Sequence, residues 1–261
     1  MVERNKQERC SCLLPMLSKS VMMSDMSPPR SAPLTARAIA RKELTAAILT
    51  SARQQLAEVG PAALSVRAVA RDLGMASSAV YRYFSSRDEL LTALLIEAYD
   101  ELGAQVEAAD ASVTTRTNHR LRWSRLCHAI RSWALAQPHD YALLYGSPVP
   151  GYAAPEATVP AAARVPLTML ALAHDAQAAG SPLGTLHVPV PRNEKQALAG
   201  IRNLTDFVIK DERLVRSLMA WSTLFGHISL ELFGHMHRGV LDYDAHFHHV
   251  VERLATDLGL T

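Results

Sequence analysis

LSVRAVARDLGMASSAVYRYFSSRDELLTAL, residues 64–94, decides how this chain is read. Val66, Val69, Ala70 and Leu73 recur at helical spacing and mark one apolar face. Gly74 tolerates the positive φ that ends a helix and turns the chain. A second short helix is expected from about residue 76 to 84. On it Ala76, Val80 and Phe84 step by four and are expected to point inward, with Ser78 and Arg82 opposite. A third, longer helix opens after the Ser85-Ser86 pair, at Arg87. Two short helices around a glycine turn form the helix-turn-helix pattern, whose second helix fits a DNA major groove.

The outward side of the pattern suits that use. Ser77, Ser78, Tyr81 and Tyr83 carry hydroxyls that can bond phosphates or base edges. Arg82 and Arg67 can do either, and Arg67 can fork onto a guanine edge. Ala79 flanks them on the same helix. Ser65 is placed to cap the first short helix and to meet a phosphate.

Residues 65–91 resemble the DNA-binding domain of the tetracycline-repressor (TetR) family. The likeness rests on the aromatic pairs of YRYF, the SS linker, a basic residue at Arg87 and the DELL that opens the next helix. Ala76 departs from the family habit of Ser or Thr at the start of the recognition helix. The cap it removes is worth about 1 kcal/mol, and Ser77 is the alternative cap. Arg87 stands where Lys is usual; either holds a phosphate, and Arg does so through two parallel bonds. The resemblance implies a homodimer on double-stranded operator DNA, read by Ser65, Arg67, Ser77, Ser78, Ala79, Tyr81, Arg82, Tyr83 and Arg87.

Charge is divided along the chain. The net charge is +2 over 261 residues. Residues 30–90 hold nine Lys/Arg against five Asp/Glu, while residues 91–261 hold fourteen against seventeen. The positive end coincides with the helix-turn-helix, as expected of a nucleic-acid surface at one end of a neutral body. The three cysteines, Cys10, Cys12 and Cys127, are too few for a disulfide framework. That number suits a reducing cytoplasm. No apolar run is long enough to span a bilayer, so no membrane partner is expected.

Residues 1–34 lack helical periodicity, contain Pro28, Pro29 and Pro33, and read as a disordered tail. The first long helix is expected from 35 or 36 to 59, with Leu44, Ile48, Ala52 and Leu56 as its stripe and Gly60-Pro61 as its end. The resemblance places the amino end of this helix near the DNA backbone. Arg37, Arg41 and Lys42 fit either a phosphate contact or a solvated face. The helix from Arg87 to about 109 is expected to leave the DNA-binding domain and enter the body, which makes it a lever for a ligand switch. Helices are expected over 118–137, 165–179 and 194–210, with proline-rich loops between them. The domain plan is therefore a tail over 1–34, a helix-turn-helix domain over 35–86, and a helical ligand-binding and dimerisation domain over 87–261. The fold class is all-α.

Leu214, Leu218, Trp221, Phe225, Ile228 and Leu232 step by alternating fours and threes, a narrow heptad-like seam. A last helix, about 242–258, carries Phe247, Val250 or Val251, Leu254 and Leu258. The six seam residues with Val250 and Leu254 are the expected dimer interface. A single helix-turn-helix needs a partner to reach a second half-site. WSRLCHAIRSWALAQPHDYALLYGSPVPGY (123–152) and WSTLFGHISLELFG (221–234) resemble the WHG-type carboxyl-terminal domain of a subset of TetR regulators. Trp221, Gly226 and His227 match the residues that name it.

Competing chemistry is thin. His227, His235, His237, His246, His248 and His249 crowd the carboxyl end, but no carboxylate or Cys stands at a fixed ligand spacing, and no metal is expected. There is no phosphate loop, nucleophile elbow or HExxH, so neither an enzyme nor a cofactor is expected. Trp123, Trp133, Tyr141, Tyr145, Met169 and Phe207 are the candidates for an effector pocket. Their apolar character suggests a small hydrophobic effector. The expected function is a ligand-responsive repressor released from a palindromic operator. The alternative is a small-molecule-binding or metal-sensing helical protein with a vestigial helix-turn-helix, and DNA binding itself separates the two.

Overall fold

The structure is a computed structural model that describes residues 35–185, 187–202, 205 and 207–261. The expected tail over 1–34 lies outside the described residues. Every regular element among the described residues is helical: ten α-helices and two short 3-10 turns. Contacts divide them into two units, one holding residues 35–94 together with 148–153, the other holding 95–147 and the described residues of 154–261. The division falls inside the fourth helix rather than before it at residue 86.

In the first unit, α1 (Ala36–Val59) is capped by the Thr35 hydroxyl, which accepts from the Ala38 N–H. Its first buried residue is Ile48, so the leading turns stand clear of the core. A 3-10 turn over Pro61–Ala63 leads to α2 (Val66–Asp72), where Ser65 accepts from the Ala68 N–H at 3.4 Å. Gly74 takes φ 63°, a left-handed conformation costly to any residue with a Cβ. That conformation lets the Met75 N–H reach back to the Ala70 carbonyl at 2.8 Å. The short α3 (Ser77–Val80) follows, then three turn residues.

The next helix, α4 (Arg87–Ala111), opens on a capping box. The Ser86 hydroxyl accepts from the Glu89 N–H at 3.0 Å, and the Glu89 carboxylate accepts from the Ser85 N–H. Of the Ser85-Ser86 pair, Ser86 supplies the capping hydroxyl and Ser85 only its backbone N–H. Ile48, Ala52, Leu56, Leu64, Val66, Val69, Ala70, Val80, Phe84, Leu90, Leu91 and Leu94 are buried here.

In the second unit, α5 (His119–Ala136), α6 (Pro138–Tyr145), α7 (Val159–Ala178), α8 (Arg192–Arg202), α9 (Asp211–Leu232) and α10 (Tyr243–Asp257) join the carboxyl half of α4. Helix α5 packs against α10, α7, α6 and α9. The core runs from Ala98, Leu102 and Val106 of α4 through Trp123, Ile130, Trp133 and Tyr141 to Leu224, Ile228, Phe247 and Val251. Leu170, Leu198, Ile209 and Leu214 form a separate, smaller cluster that anchors α8. Gly103 is a notch in α4, because a Cβ there would come within 2.8 Å of Arg164 on α7.

Two sequence expectations shift. Helix α7 begins at Val159, six residues before the predicted start, with Pro160 in its first turn and Pro166 inside it. Proline is tolerated in a first turn, where its missing N–H has no partner to lose. The helix predicted over 194–210 is observed as Arg192–Arg202, and residues 207–210 are not helical.

Candidate nucleic-acid interface

The turn residues around α3 separate by face as a DNA reader requires. Val80 is fully buried and Phe84 nearly so. Ser78 and Arg82 are exposed, Tyr81 is 41% exposed, and Ser77 and Ala79 are half-buried. Arg67 is exposed on α2. Its guanidinium and that of Arg82 meet no carboxylate within ion-pair distance among the described residues, so both remain available to phosphates or base edges.

Several sequence expectations need correction. Ala76 does not point inward. It is the exposed N-cap residue of α3, makes no side-chain cap bond, and leaves Ser77 as the first helical residue. The recognition segment is one helical turn followed by turn residues rather than a helix to Phe84. The Phe84 N–H still bonds the Val80 carbonyl at 3.1 Å, which keeps the aromatic in the core. Arg87 does not stand free for a phosphate. Its guanidinium donates to the Pro61 carbonyl at 2.7 Å and to Ala62 at 3.3 Å, tying the start of α4 to the turn before α2. Ser65 is half-buried, and its oxygen is the cap of α2.

One contact had no local signal. The Arg41 guanidinium of α1 lies over the Tyr83 ring, 5.1 Å from its centroid. The two residues are far apart in sequence, and only the crossing of α1 over the reading turn brings them together.

The six candidate pocket residues do not form one site. Trp123 and Met169 line a small apolar void with Leu172, Ala173, Ser217, Leu258 and Leu260. Tyr141 and Tyr145 belong to an aromatic chain in which Tyr145 meets Tyr99 edge-on and Phe225 at a tilt, and Phe225 meets Trp221. Phe207 stacks on His174, 5.2 Å away, against the smaller cluster. Trp133 is in the main core, and its indole N–H has no acceptor among the described residues. Burial pushes the Tyr141 phenol up to about 12, so it stays neutral and donates to the Phe225 carbonyl at 2.9 Å.

The expected dimer seam is largely spent within the protomer. Leu214, Phe225 and Ile228 are buried, while Trp221, Leu232, Val250 and Leu254 are half-buried. Leu218 is the exposed member. The apolar surface of α9 is rotated from that seam, to Leu218, Met219, Leu230 and Phe233, with Ser222 and Gly226 between them. Both faces of the helix carry apolar residues, so periodicity alone picks out the larger side chains, and these are the ones the core takes.

Two buried arginines in this unit are paired with carboxylates. Arg122 bonds Asp110 at 2.8 Å and Asp175 at 2.7 Å. Burial alone would raise the Asp110 carboxyl, but hydrogen bonds from Arg122 and Arg116 outweigh it and hold the carboxyl below its ordinary range. Arg131 bonds Glu231 and Asp244 at 2.6 Å each. No cluster of three or more metal-ligating side chains occurs among the described residues. None of the described helices is long and apolar enough to cross a membrane.

Comparison with known proteins defines the class. The profile described as "Bacterial regulatory proteins, tetR family" matches residues 48–94, and "Tetracyclin repressor-like, C-terminal domain" matches residues 123–254. The chain is 41% identical over 203 residues to the HTH-type transcriptional regulator Rv1816 of Mycobacterium tuberculosis (strain ATCC 25618 / H37Rv), covering 75% of this chain and 83% of that protein. Among solved structures, the regulatory protein SCO4313 superposes with a TM-score of 0.69 at 36% identity, over 84% of this chain and 98% of that one. A Rhodococcus sp. RHA1 protein of unknown function gives a TM-score of 0.60 at 25% identity, over 81% and 93% of the two chains. The chain belongs to the TetR family. It is a DNA-binding transcriptional regulator rather than an enzyme.

Proposed function

We propose that the protein is a homodimeric repressor whose two α3 segments read a palindromic operator, and that a small hydrophobic effector bound in the helical body releases it. It acts where the DNA is, in the cytoplasm. The observation that carries this reading is the outward set of Arg67, Ser78, Tyr81 and Arg82, mounted over a buried Val80 and Phe84. Such a face carries donors for phosphates and base edges on a rigid underlayer. The rotated apolar face of α9 supports pairing with a second copy. The core of aromatic and aliphatic side chains supports an apolar effector. Helix α4 passes through both units and is the element that an effector would displace.

A gel shift with the DNA upstream of its own gene tests the reading. The wild type retards that fragment, and the complex weakens steeply with salt. Arg67→Ala and Tyr81→Ala lose the shift while keeping wild-type helicity and oligomeric state. Wild-type binding by both variants would refute the assigned reading face.

A further inference from the structure

We infer that Tyr83 acts on DNA through Arg41: its ring is the platform that aims the Arg41 guanidinium at a phosphate, and its phenol oxygen is not the ligand. The inference rests on the reading that the α3 face binds DNA. Arg41 is exposed on a stretch of α1 that has no buried residue before Ile48, so core packing does not fix its side chain. What does hold it is the half-buried Tyr83, with the guanidinium carbon 5.1 Å from the ring centroid. Tyr83 directly follows the reading residues Tyr81 and Arg82, so the stacked cation stands at the edge of the reading face.

A guanidinium over a ring gives one flat face to the π-cloud and keeps its N–H edge for an acceptor. A phosphate accepts that edge in a two-bond fork. Among the described residues no carboxylate lies within ion-pair distance of Arg41. Arg37 adds a like charge one turn earlier on α1. Arg87, the basic residue to which sequence reading gave a phosphate, is occupied with the Pro61 and Ala62 carbonyls. Arg41 also precedes residue 48, where the match to the family's DNA-binding profile begins. A backbone contact carries no base information, so its loss weakens every site alike.

The test is a salt titration of full-length protein on the upstream duplex, read by fluorescence anisotropy. Tyr83→Phe keeps the ring and binds within about twofold of wild type. Arg41→Ala weakens binding by about tenfold on matched and scrambled sites alike, and lowers the slope of log K against log salt by about 0.9. Tyr83→Leu weakens binding in the same direction, and adding it to Arg41→Ala costs nothing further.

A loss in Tyr83→Phe equal to that in Tyr83→Leu would make the phenol the ligand and overturn the inference. An unchanged salt slope in Arg41→Ala would do the same. Should Tyr83→Leu fail to fold, the exposed Arg41→Ala and the ring-preserving Tyr83→Phe still decide the matter. Failure of the wild type to bind any duplex is a different result, because it removes the reading on which the inference rests.

Discussion

Arginine is used in opposite ways by the two units. In the DNA-reading unit Arg37, Arg41, Arg67, Arg71 and Arg82 are exposed, and among the described residues none meets a carboxylate within ion-pair distance. In the other unit Arg122, Arg131, Arg213 and Arg216 are buried, Arg122 to 2% exposure. Arg122 and Arg131 each bind two carboxylates. Arg213 donates to the Leu258 carbonyl, and Arg216 to Asp257 and Glu212. The regional charge balance explains the difference. Where carboxylates are scarce, the five exposed guanidiniums are left without an ion-pair partner among the described residues. Where carboxylates are in excess, a guanidinium becomes a tie between helices, and burying it is tolerable because its donors are met by carboxylates or, for Arg213, by the Leu258 and Ser181 carbonyls.

The largest expected effect comes from breaking a tie. Arg131→Ala leaves the Glu231 carboxylate, 8% exposed, without its partner. Truncating one side of a buried pair costs about 3 kcal/mol, to be read as a lower urea midpoint. Arg82→Ala is the opposite case. It changes stability by less than about 0.5 kcal/mol, as an exposed substitution should. Its loss is in DNA affinity, by about 1–3 kcal/mol if it contacts a base. Equal urea midpoints for the two variants would break the comparison.

The third effect is on assembly. Leu218→Asp with Leu230→Asp places two charges on the exposed apolar face of α9 and yields a folded monomer in sedimentation. Ile228→Asp, on the buried face, unfolds the protein instead. Dimers that persist in the first variant would move the interface elsewhere.

The smallest effect is a pH slope. His227 and His119 are buried, and burial is the main cause that depresses both. A like-charged neighbour adds to it, His246 for His227 and Arg122 for His119. With the folded pKa below the unfolded value, the unfolded chain binds more protons, and stability rises with pH. The contribution is therefore complete above the ordinary histidine range and falls away as pH drops through it. Urea midpoints decline from pH 7.5 to 5.5, and His227→Gln reduces the decline. A flat profile in the wild type would contradict the neutral, buried state of both rings.

What was legible from sequence follows the same division. The helix-turn-helix could be read because its signals are local: Ser65 as a cap, Gly74 at φ 63°, and Val80 as the inward anchor. The contact of Arg87 with the Pro61 carbonyl had no signal in the sequence, because that partner lies 26 residues away and is a backbone group no side-chain pattern marks. The Arg41–Tyr83 stack was hidden for the same reason. In the body, Pro160 reads as a loop residue although the first turn of a helix accommodates it. The α9 seam was real as a pattern, but a pattern cannot say whether the core or a second copy covers it. Candidate pocket residues were chosen by type, and type does not distinguish Trp123 beside a void from Phe207 stacked on His174.

The central claim is that two copies of the α3 face read one symmetrical site. Selection of bound duplexes from a random-sequence pool, with the wild type and Arg82→Ala in parallel, tests it most directly. The wild type enriches an inverted repeat whose half-sites are centred about one helical turn, or a multiple of it, apart. Arg82→Ala weakens that enrichment in both halves equally. Enrichment of a single asymmetric site, or of no sequence at all, would contradict it.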